Sequence, residues 1–533
     1  MPITSQTLSS AGPVPAKVHV TARSAARTAA PAAILAALKS RGARDLVLLE
    51  SGGHSEQRLP TLRRSLLVTR ALLRLEVRGL VVEVTPLQSS AGGLIEALAA
   101  RLPGADVRDG RLQCTFPDAR AVPGMPDSEM LALPSVFDAI RAAAGLLADS
   151  GQRAPFAPGL FGAFGYEIVD HFEVLPPRKA DPLDEPDASL VLGSDMILFD
   201  HEAGTVHVIT RGLPWEPASE VAARHEAMSA LCESAPAVAP ITFKAPAAPA
   251  ETDMTDAEFI EAVRLTREHV GAGDIFQAVL SRGFRIESRA ASVDVYRTLA
   301  ARNPSPYMFH VDLPDGELLG ASPETFLKVE KRAIEIRPIA GTVPRGFAPD
   351  GTIDADLDER LAFSMMLDPK EQAEHAMLVD LARNDVARVS EPGTTAIVQL
   401  FAVEKYSHVQ HIVSRVRGQL RAGLDALHAY RAVANMGTLS GAPKVRAMQI
   451  IRELETAARG FYGGAVGYLL QDGTFDSCIA IRTLRRKGGS YYTRAGAGIV
   501  WGSVPEREFN ETEMKSKAVR SAVASAEIGG AVS

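Results

Sequence analysis

The chain has 533 residues, of which 46% are hydrophobic and 23% are charged, values typical of a globular protein. A chain of this length is too long to form one simple hydrophobic core, which predicts several domain-sized units. The net charge of −7, without a block of basic residues, argues against a nucleic-acid-binding surface. No apolar run approaches the ~20 residues that a membrane span needs. Three cysteines without a paired framework favour a reducing cytoplasm.

The N-terminal half opens with thirty residues that are rich in Ala, Ser, Thr and Arg and contain no acidic residue. We predict a disordered extension over residues 1–35, with a transit peptide as the alternative. A short apolar strand follows at residues 45–51. Alternating residues on both sides of Arg78 and Gly79 then predict a β-hairpin.

A Pro/Ala-rich stretch at residues 233–253 indicates a linker or a long surface connection. Thr255 and Glu258 form a capping box, which predicts a helix start directly after it. The other segments with a clear pattern are helices at 91–102, 134–148, 371–389 and 424–457, and strands at 159–168, 276–345 and 464–500. Blocks of strands alternating with blocks of helices indicate an α+β protein with antiparallel sheets.

Two Glu-x-x-Glu pairs lie on segments with helical periodicity, Glu371/Glu374 and Glu508/Glu511. Each pair continues an apolar stripe, formed by Leu378 and Leu381 on one helix and by Ala518 and Ala522 on the other. Carboxylates that face a core must be paired, protonated or bound to a metal. Four oxygen ligands without a His or Cys cluster suit Mg²⁺. The alternative is two ordinary helix starts, where Glu complements the helix dipole.

The second half carries eight short polar or glycine-rich motifs in one order. They are NPSPYMF (303–309), GASPE (320–324), RPIAGT (337–342), EHAMLVDLARND (374–385), TLSGAPK (438–444), YGGAVGY (462–468), DSCIAIR (476–482) and RAGAG (494–498). Together they resemble the chorismate-utilising enzymes, over roughly residues 40–525. The resemblance implies a large α+β sandwich of two antiparallel β-sheets with helices on the outer faces. Residues on both sides of the linker would contribute to it.

With this resemblance the chain divides into five predicted regions. They are the extension 1–35, an N-terminal region 36–232, the linker 233–253, a chorismate-binding catalytic region 254–525 and a tail 526–533. In the family, Mg²⁺ bridges Glu residues on two helices and the ring carboxylate of chorismate. Glu374 and Glu511 match the direct ligands. Glu371 and Glu508 match second members that act directly or through water.

The resemblance also assigns contacts to the substrate. Tyr462 and Arg482 match substrate-binding residues, and Arg482 suits a carboxylate because it can bind both oxygens. The backbone amides of Gly341-Thr342 and of Gly496-Ala497-Gly498 are expected to hold other charged groups, since glycine allows close approach of the main chain. The alternatives are core packing for Tyr462 and a surface charge for Arg482.

Three residues match catalytic positions of the family. Hydroxide is a poor leaving group, so departure of the C4 hydroxyl of chorismate needs a positioned acid, and Glu324 matches that acid. His411 matches the His beside the bound ring that supports elimination of pyruvate. Thr438 matches a hydroxyl on the substrate side. The alternative for His411 is a histidine that only packs in the core, and the alternative for Thr438 is a threonine that forms a turn or caps a helix.

Two positions discriminate among the nucleophiles that family members use. Members that add water carry a Lys base where this chain has Gln277, and aminodeoxychorismate synthases carry a nucleophilic Lys where it has Ala340. Both residues favour ammonia attack at C2, followed by elimination that gives anthranilate and pyruvate. The alternatives are aminodeoxyisochorismate synthesis, aminodeoxychorismate synthesis, and a catalytically silent tryptophan-binding regulator.

The resemblance implies a partner and a regulator. No Cys lies in a pattern typical of a glutaminase, so ammonia is expected from a separate glutamine amidotransferase subunit in a hetero-oligomer. Tryptophan is expected as a feedback inhibitor. Its predicted site comprises Glu50, Ser51, Pro306, Tyr307, Met308 and Cys478. Cys478 and Arg482 are predicted on one strand face, which suggests a route from inhibitor to substrate.

Overall fold

The computed structural model describes residues 12–51, 64–118, 120, 125, 127–131, 133–236, 245–406 and 409–530. Its strands are β1 Val14–Ser24, β2 Val47–Glu50, β3 Arg64–Arg78, β4 Val81–Pro86, β5 Asp106–Arg108, β6 Arg111–Thr115, β7 Leu147–Ser150, β8 Gly159–Phe164, β9 Ala188–Asp200, β10 Thr205–Gly212, β11 Glu251–Thr252, β12 Gln277–Glu287, β13 Tyr307–Leu313, β14 Gly316–Ser322, β15 Thr325–Glu330, β16 Ala333–Ile336, β17 Ile339–Pro344, β18 Ala396–Lys405, β19 Val409–Gln419, β20 Gly441–Ala442, β21 Ala465–Leu470, β22 Phe475–Ile479, β23 Thr483–Lys487 and β24 Ser490–Ile499.

Twelve α-helices accompany these strands in the described part of the chain. They are α1 Pro31–Ser40, α2 Gly92–Ala99, α3 Asp127–Leu131, α4 Val136–Ala144, α5 Ala218–Ser234, α6 Asp256–Ala272, α7 Ser292–Arg302, α8 Ala355–Leu367, α9 Pro369–Ala387, α10 Ala426–Val433, α11 Lys444–Leu454 and α12 Pro505–Gly530. None of the helices described is long and apolar enough to span a membrane.

Two long strands, β3 and β9, pair with each other in antiparallel orientation at the centre of the sheet. A series of paired strands extends from each of them, and we call the two series the arms of the sheet. Beyond β9 the pairing continues through β8, β21, β22, β15, β16 and β19. Beyond β3 it continues through β2, β13, β14, β23, β24 and β12. Among the described strands, only the β1–β7 pairing is parallel.

Apolar side chains from both arms meet in one core, which includes Val68, Phe161, Met196, Phe309 and Val466. Helices α2, α4 and α10 cover a second core on the outer face of one arm. Helices α1, α7 and α12 cover a third core on the outer face of the other arm. The predicted α+β class, with antiparallel sheets facing each other and helices outside, is confirmed.

Local sequence signals located several elements correctly. The hairpin around Arg78 and Gly79 is β3–β4, and the strand predicted at 45–51 contains β2. At the start of α6 the Thr255 hydroxyl accepts a hydrogen bond from the Glu258 amide (3.2 Å). The Glu258 carboxylate accepts one from the Thr255 amide (2.8 Å). These signals succeed because their partners lie within a few residues.

The predicted ends of the chain need correction where they are described. Residues 14–24 of the supposed disordered extension form β1, which pairs with β10 along eight positions, and residues 31–40 form α1. The supposed tail begins inside α12, where Ala526 is buried. Part of the linker, Glu251–Thr252, pairs with β12 as β11. Residues 1–11, 237–244 and 531–533 lie outside the described residues.

Candidate active site

The two Glu-x-x-Glu pairs lie at the starts of α9 and α12, and the two helix starts approach each other. Burial raises the pKa of Glu371, and the neighbouring carboxylates of Glu374 and Glu511 raise it further. Burial also raises the pKa of Glu508, again with a contribution from Glu511. Because like charges raise each other's pKa only at short range, carboxylates from both helices share one site.

The predicted orientation of the second pair is wrong in part. Glu508 is 6% exposed, but the Glu511 side chain is 45% exposed and pairs with Lys515, with 2.7 Å between Nζ and Oε1. The buried stripe of α12 continues through Thr512 and Ser516 rather than through Glu511. On α9, Glu371 and Glu374 are half-buried. The carboxylates therefore face a cleft rather than a closed core.

Lys515 is a site residue that the sequence interpretation missed. Its ammonium faces Glu511 and also donates a hydrogen bond to the carbonyl oxygen of Gly496 (2.9 Å). This contact joins α12 to the glycine segment on β24. The signal was present in the sequence, since Glu and Lys four residues apart on a helix lie side by side.

Glycines on β24 form a wall that leaves no room for side chains. A Cβ at position 498 would lie 2.4 Å from Nε2 of Gln277, and a Cβ at position 496 would lie 2.9 Å from the Tyr462 hydroxyl oxygen. Gln277 itself donates to the Glu374 carboxylate (3.3 Å). Between Gly496 and Gly498, Ala497 is fully buried. The glycine wall, Gln277 and the first Glu pair therefore border the same space.

His411 lies on β19 opposite Thr342 of β17. Its Nδ1 lies 2.9 Å from the Thr342 hydroxyl oxygen and 3.1 Å from the carbonyl oxygen of Gly341. Because a carbonyl only accepts, Nδ1 carries the proton. Burial lowers the pKa of His411 to about 4, so Nε2 is unprotonated at neutral pH. Gly341 also approaches the cluster, since a Cβ there would lie 3.2 Å from Oε2 of Glu371.

Arg482 is the second cation of the site. It is half-buried in the turn between β22 and β23, at φ = 52°, a backbone conformation that is strained for a residue with a side chain. Its guanidinium makes no hydrogen bond or ion pair with any other residue that the structure describes. The electrostatic influence of Arg482 reaches both His411 and Tyr462. Since β22 ends at Ile479, the predicted shared strand face with Cys478 is wrong.

Glu324 lies just before β15 and is 5% exposed. Burial raises its pKa to about 8, and the nearby Thr438 hydroxyl and the Lys515 charge offset part of that rise. The Thr438 hydroxyl lies close but without good hydrogen-bond geometry, so its oxygen and one Glu324 oxygen have no partner among the described residues. Glu324 is therefore protonated at neutral pH and has a proton to donate.

A separate cavity of about 390 Å³ lies where β2 and β13 meet β22. The Glu50 carboxyl at its wall accepts a hydrogen bond from the Tyr296 hydroxyl, and burial raises the pKa of Glu50. The structure brings all six residues of the predicted inhibitor site to this one cavity, namely Glu50, Ser51, Pro306, Tyr307, Met308 and Cys478.

A compact group of potential metal ligands lies elsewhere, on β13 and β14, and comprises His310, Asp312 and Glu317. The Lys39 ammonium lies 2.6 Å from Asp312 and 3.2 Å from Glu317. A cation of this chain therefore already neutralises the two carboxylates. The group is best described as a buried ion-pair network that anchors α1, not as a metal site.

Known proteins of one family are similar to this chain over most of its length. Residues 123–521 match the model of the chorismate binding enzyme family, and the chain belongs to that family. Anthranilate synthase component 1 of Vibrio cholerae is 40% identical over 508 residues, which cover 92% of this chain and 94% of the relative. Anthranilate synthase component 1 of Streptomyces coelicolor is 45% identical over 384 residues, covering 70% and 74% respectively.

Two solved structures have the same fold. Anthranilate synthase component I from Streptococcus pneumoniae superimposes with a TM-score of 0.68 at 29% identity, covering 88% of this chain and 95% of that one. The isochorismate synthase MenF from Escherichia coli gives a TM-score of 0.63 at 15% identity, covering 97% of each chain, which indicates likeness of fold alone. The predicted resemblance to chorismate-utilising enzymes is confirmed.

Proposed function

We propose that this protein is the chorismate-binding component of an anthranilate synthase, which converts chorismate and ammonia into anthranilate, pyruvate and water. The observation that carries the proposal is Glu324, a buried carboxyl whose pKa burial raises to about 8 and which shares the charge of Lys515 with Glu511. Such a site can protonate a leaving hydroxyl of an anionic substrate. The names of relatives with 40–45% identity support the same assignment.

The four glutamates Glu371, Glu374, Glu508 and Glu511 are the proposed Mg²⁺ site. They offer only oxygen ligands, which Mg²⁺ prefers. The raised pKa values of Glu371 and Glu508 indicate that a dication would relieve their repulsion. Bound Mg²⁺ would supply positive charge for the substrate's ring carboxylate. Glu374 and Glu511 are the proposed direct ligands, and Glu371 and Glu508 are the second members of the site, acting directly or through water.

The remaining contacts would orient the substrate. The Arg482 guanidinium, which has no ion pair among the described residues, is suited to a second carboxylate. Tyr462 lies beside the glycine wall, and burial raises its pKa to about 12, so its hydroxyl can donate. Backbone amides of Gly341-Thr342 and of residues 496–498 would complete the anion-binding surface, since glycines let the backbone approach closely.

The proposed reaction has two stages. Glu324 gives its proton to the C4 hydroxyl, which leaves as water while ammonia adds at C2, and the proton that the added nitrogen then loses restores Glu324. Thr438 is the proposed hydroxyl on the substrate side of Glu324. In the second stage Nε2 of His411 accepts the C2 proton as the bond from C3 to oxygen breaks. Return of a proton to the enolpyruvyl fragment gives pyruvate, and the ring becomes aromatic as anthranilate.

Gln277 and Ala340 support ammonia as the nucleophile. The Gln277 amide is held by Glu374 and has no basic atom that could deprotonate water. Ala340 is buried on β17, beside Gly341, and offers no amine. A family enzyme with these two residues has neither the base for hydration nor a covalent nucleophile, whereas ammonia attacks without assistance of that kind.

Ammonia is proposed to come from a separate glutamine amidotransferase subunit. The three cysteines of the chain, Cys114, Cys232 and Cys478, are all buried and unpaired. Burial raises the pKa of each thiol, which is the opposite of what a nucleophilic glutaminase cysteine needs. Buried free thiols also suit a reducing cytoplasm, where we place the enzyme.

An assay with ammonium tests the function without the partner. Purified protein given chorismate, Mg²⁺ and excess ammonium is expected to form anthranilate, followed by its fluorescence, and pyruvate in equal amounts. Chelation of Mg²⁺ should stop both. An aminated product without pyruvate would contradict the proposal and favour aminodeoxyisochorismate synthesis. Tryptophan binding without any turnover would favour a silent regulator.

We propose that the 390 Å³ cavity binds tryptophan as a feedback inhibitor. Its volume suits a small ligand, and Glu50 could pair with the ligand's ammonium. Ser51→Phe should fill part of the cavity and weaken tryptophan inhibition at least ~10-fold, while turnover with ammonium stays within about twofold. Ser234→Phe, on the exposed end of α5, is the matched control. Unchanged inhibition in Ser51→Phe would place the tryptophan site elsewhere.

A further inference from the structure

Glu324 lies between two residues that both contact the wall of the tryptophan cavity. On one side, the Ser322 hydroxyl accepts a hydrogen bond from the Glu324 amide (3.3 Å) and lies beside the thiol of Cys478. On the other side, the Thr325 hydroxyl oxygen lies 3.2 Å from the hydroxyl oxygen of Tyr307. Tyr307 and Cys478 both line the cavity.

The hydrogen bonds through Tyr307 have a defined direction. Burial holds the pKa of Tyr307 well above 10, so its hydroxyl is protonated and donates to the Asp476 carboxylate (3.0 Å). Burial raises the pKa of Asp476 only to about 6, so that carboxylate is ionised at neutral pH and accepts. The one Tyr307 proton is thereby used, and the Thr325 hydroxyl donates to the Tyr307 oxygen.

The Glu324 side chain has few hydrogen-bond partners of its own among the described residues, so its position depends on its backbone and on the residues next to it. One of its carboxyl oxygens is buried without a hydrogen-bond partner among the described residues. Its carbonyl accepts from the Ile479 amide (3.0 Å), and directly after it the β15–β22 ladder shifts register between Thr325 and Leu327. A bulge of this kind aims a side chain, and the Thr325–Tyr307 bond lies at the bulge.

We propose that Tyr307 is a positioning residue for Glu324, acting through Thr325, and that a ligand in the cavity lowers turnover by disturbing this hydrogen bond. The inference rests on the proposed function. It also replaces the Cys478–Arg482 route, because Arg482 does not lie on β22. Displacing a general acid by a fraction of an ångström is enough to slow a proton transfer without changing how the substrate binds.

Tyr307→Phe is the test, because it keeps the ring that shapes the cavity and removes both hydrogen bonds. With ammonium as the nitrogen source we expect kcat to fall about tenfold, with KM for chorismate within about twofold. Tryptophan, titrated calorimetrically, should bind within about threefold of wild type, but saturating tryptophan should inhibit far less. Thr325→Val should reproduce the loss of kcat, and Thr325→Ser, which keeps the hydroxyl, should restore it.

Tyr492→Phe is the matched control, since Tyr492 is a half-buried tyrosine on β24 that does not line the cavity, and it should leave kcat unchanged. Wild-type kcat and full inhibition in Tyr307→Phe would overturn the inference. The inference would also be overturned if Tyr307→Phe kept the wild-type kcat but lost tryptophan affinity in parallel with inhibition. Tyr307 would then be a ligand contact only. Failure of the proposed function would appear earlier, as wild-type protein that forms no anthranilate.

Discussion

Glu324→Gln is expected to lower kcat for anthranilate formation by about a thousandfold, within the range that a positioned general acid contributes. The amide has the shape of the protonated carboxyl but cannot give a proton to the departing C4 hydroxyl. Because glutamine can still donate a hydrogen bond to the substrate, KM for chorismate should change little. Initial rates of anthranilate fluorescence at saturating ammonium and Mg²⁺ provide both constants.

The same variant should be more stable than the wild type above mildly acidic pH. Glu324 loses its proton at about pH 8 in the folded protein but near pH 4.5 in the unfolded chain. Between these two pH values the unfolded chain binds fewer protons than the folded protein. As the pH rises through this range, the free energy of unfolding of the wild type therefore falls by about 1.4 kcal/mol per pH unit relative to that of the variant. Urea unfolding between pH 5 and pH 8 measures the difference.

Glu287→Gln, on the exposed end of β12, is the matched control for both measurements and should resemble the wild type in each. A Glu324→Gln protein that is folded and keeps near-normal kcat would remove Glu324 from the acid role. A pH-independent stability difference would mean that the folded carboxyl is already ionised, and the acid would then have to be sought among other residues of the cleft.

Glu374→Gln is expected to reduce turnover at least ~100-fold and to raise the Mg²⁺ concentration needed for half-maximal rate. The change removes one charge from the converging carboxylates. Since Glu374 raises the pKa of Glu371 by repulsion, its loss should not destabilise the metal-free protein. A Mg²⁺ titration of the anthranilate rate, paired with thermal unfolding in chelator, separates the metal effect from a folding defect.

Asp380→Asn on the same helix is the control, because Asp380 is exposed and pairs with Arg383. Its Mg²⁺ dependence should equal that of the wild type. If Glu374→Gln had the same Mg²⁺ dependence as this control, the metal assignment would be wrong. Partial recovery of the turnover of Glu374→Gln at high Mg²⁺ would agree with the metal assignment, since the other three carboxylates remain.

Sequence signals were sufficient where an element is determined by its neighbours in the chain. The capping box of Thr255 and Glu258 and the hairpin at Arg78-Gly79 are such cases. They were insufficient for β1, whose residues Val14–Ser24 have a weak, partly polar alternation. That segment becomes a strand because β10 and β7 offer backbone partners on both sides, which no local pattern reveals. Helix α7 was missed within a block of strands because β-branched residues dilute its helical signal.

The candidate site was likewise predicted from the sequence only in part. Family motifs named the glutamates, Glu324, His411 and Arg482, and the structure places them around one cleft. The orientation of Glu511 was mistaken because the helix periodicity fits two neighbouring stripes, and packing against β24 decides between them. The contact of Lys515 with Gly496 and the Thr325–Tyr307 hydrogen bond each join two different elements, so a single sequence does not predict them.

The central pair of strands has a consequence for how the chain folds. β3 is made early during synthesis, but β9, its partner along most of its length, emerges over a hundred residues later. Until then β3 presents unpaired backbone groups and a row of leucines, the combination that promotes wrong association. Pairings between such distant segments are slow to form. The nascent protein is therefore expected to depend on chaperones until β9 arrives, and the cleft can assemble only after α12, the last helix, has been synthesised.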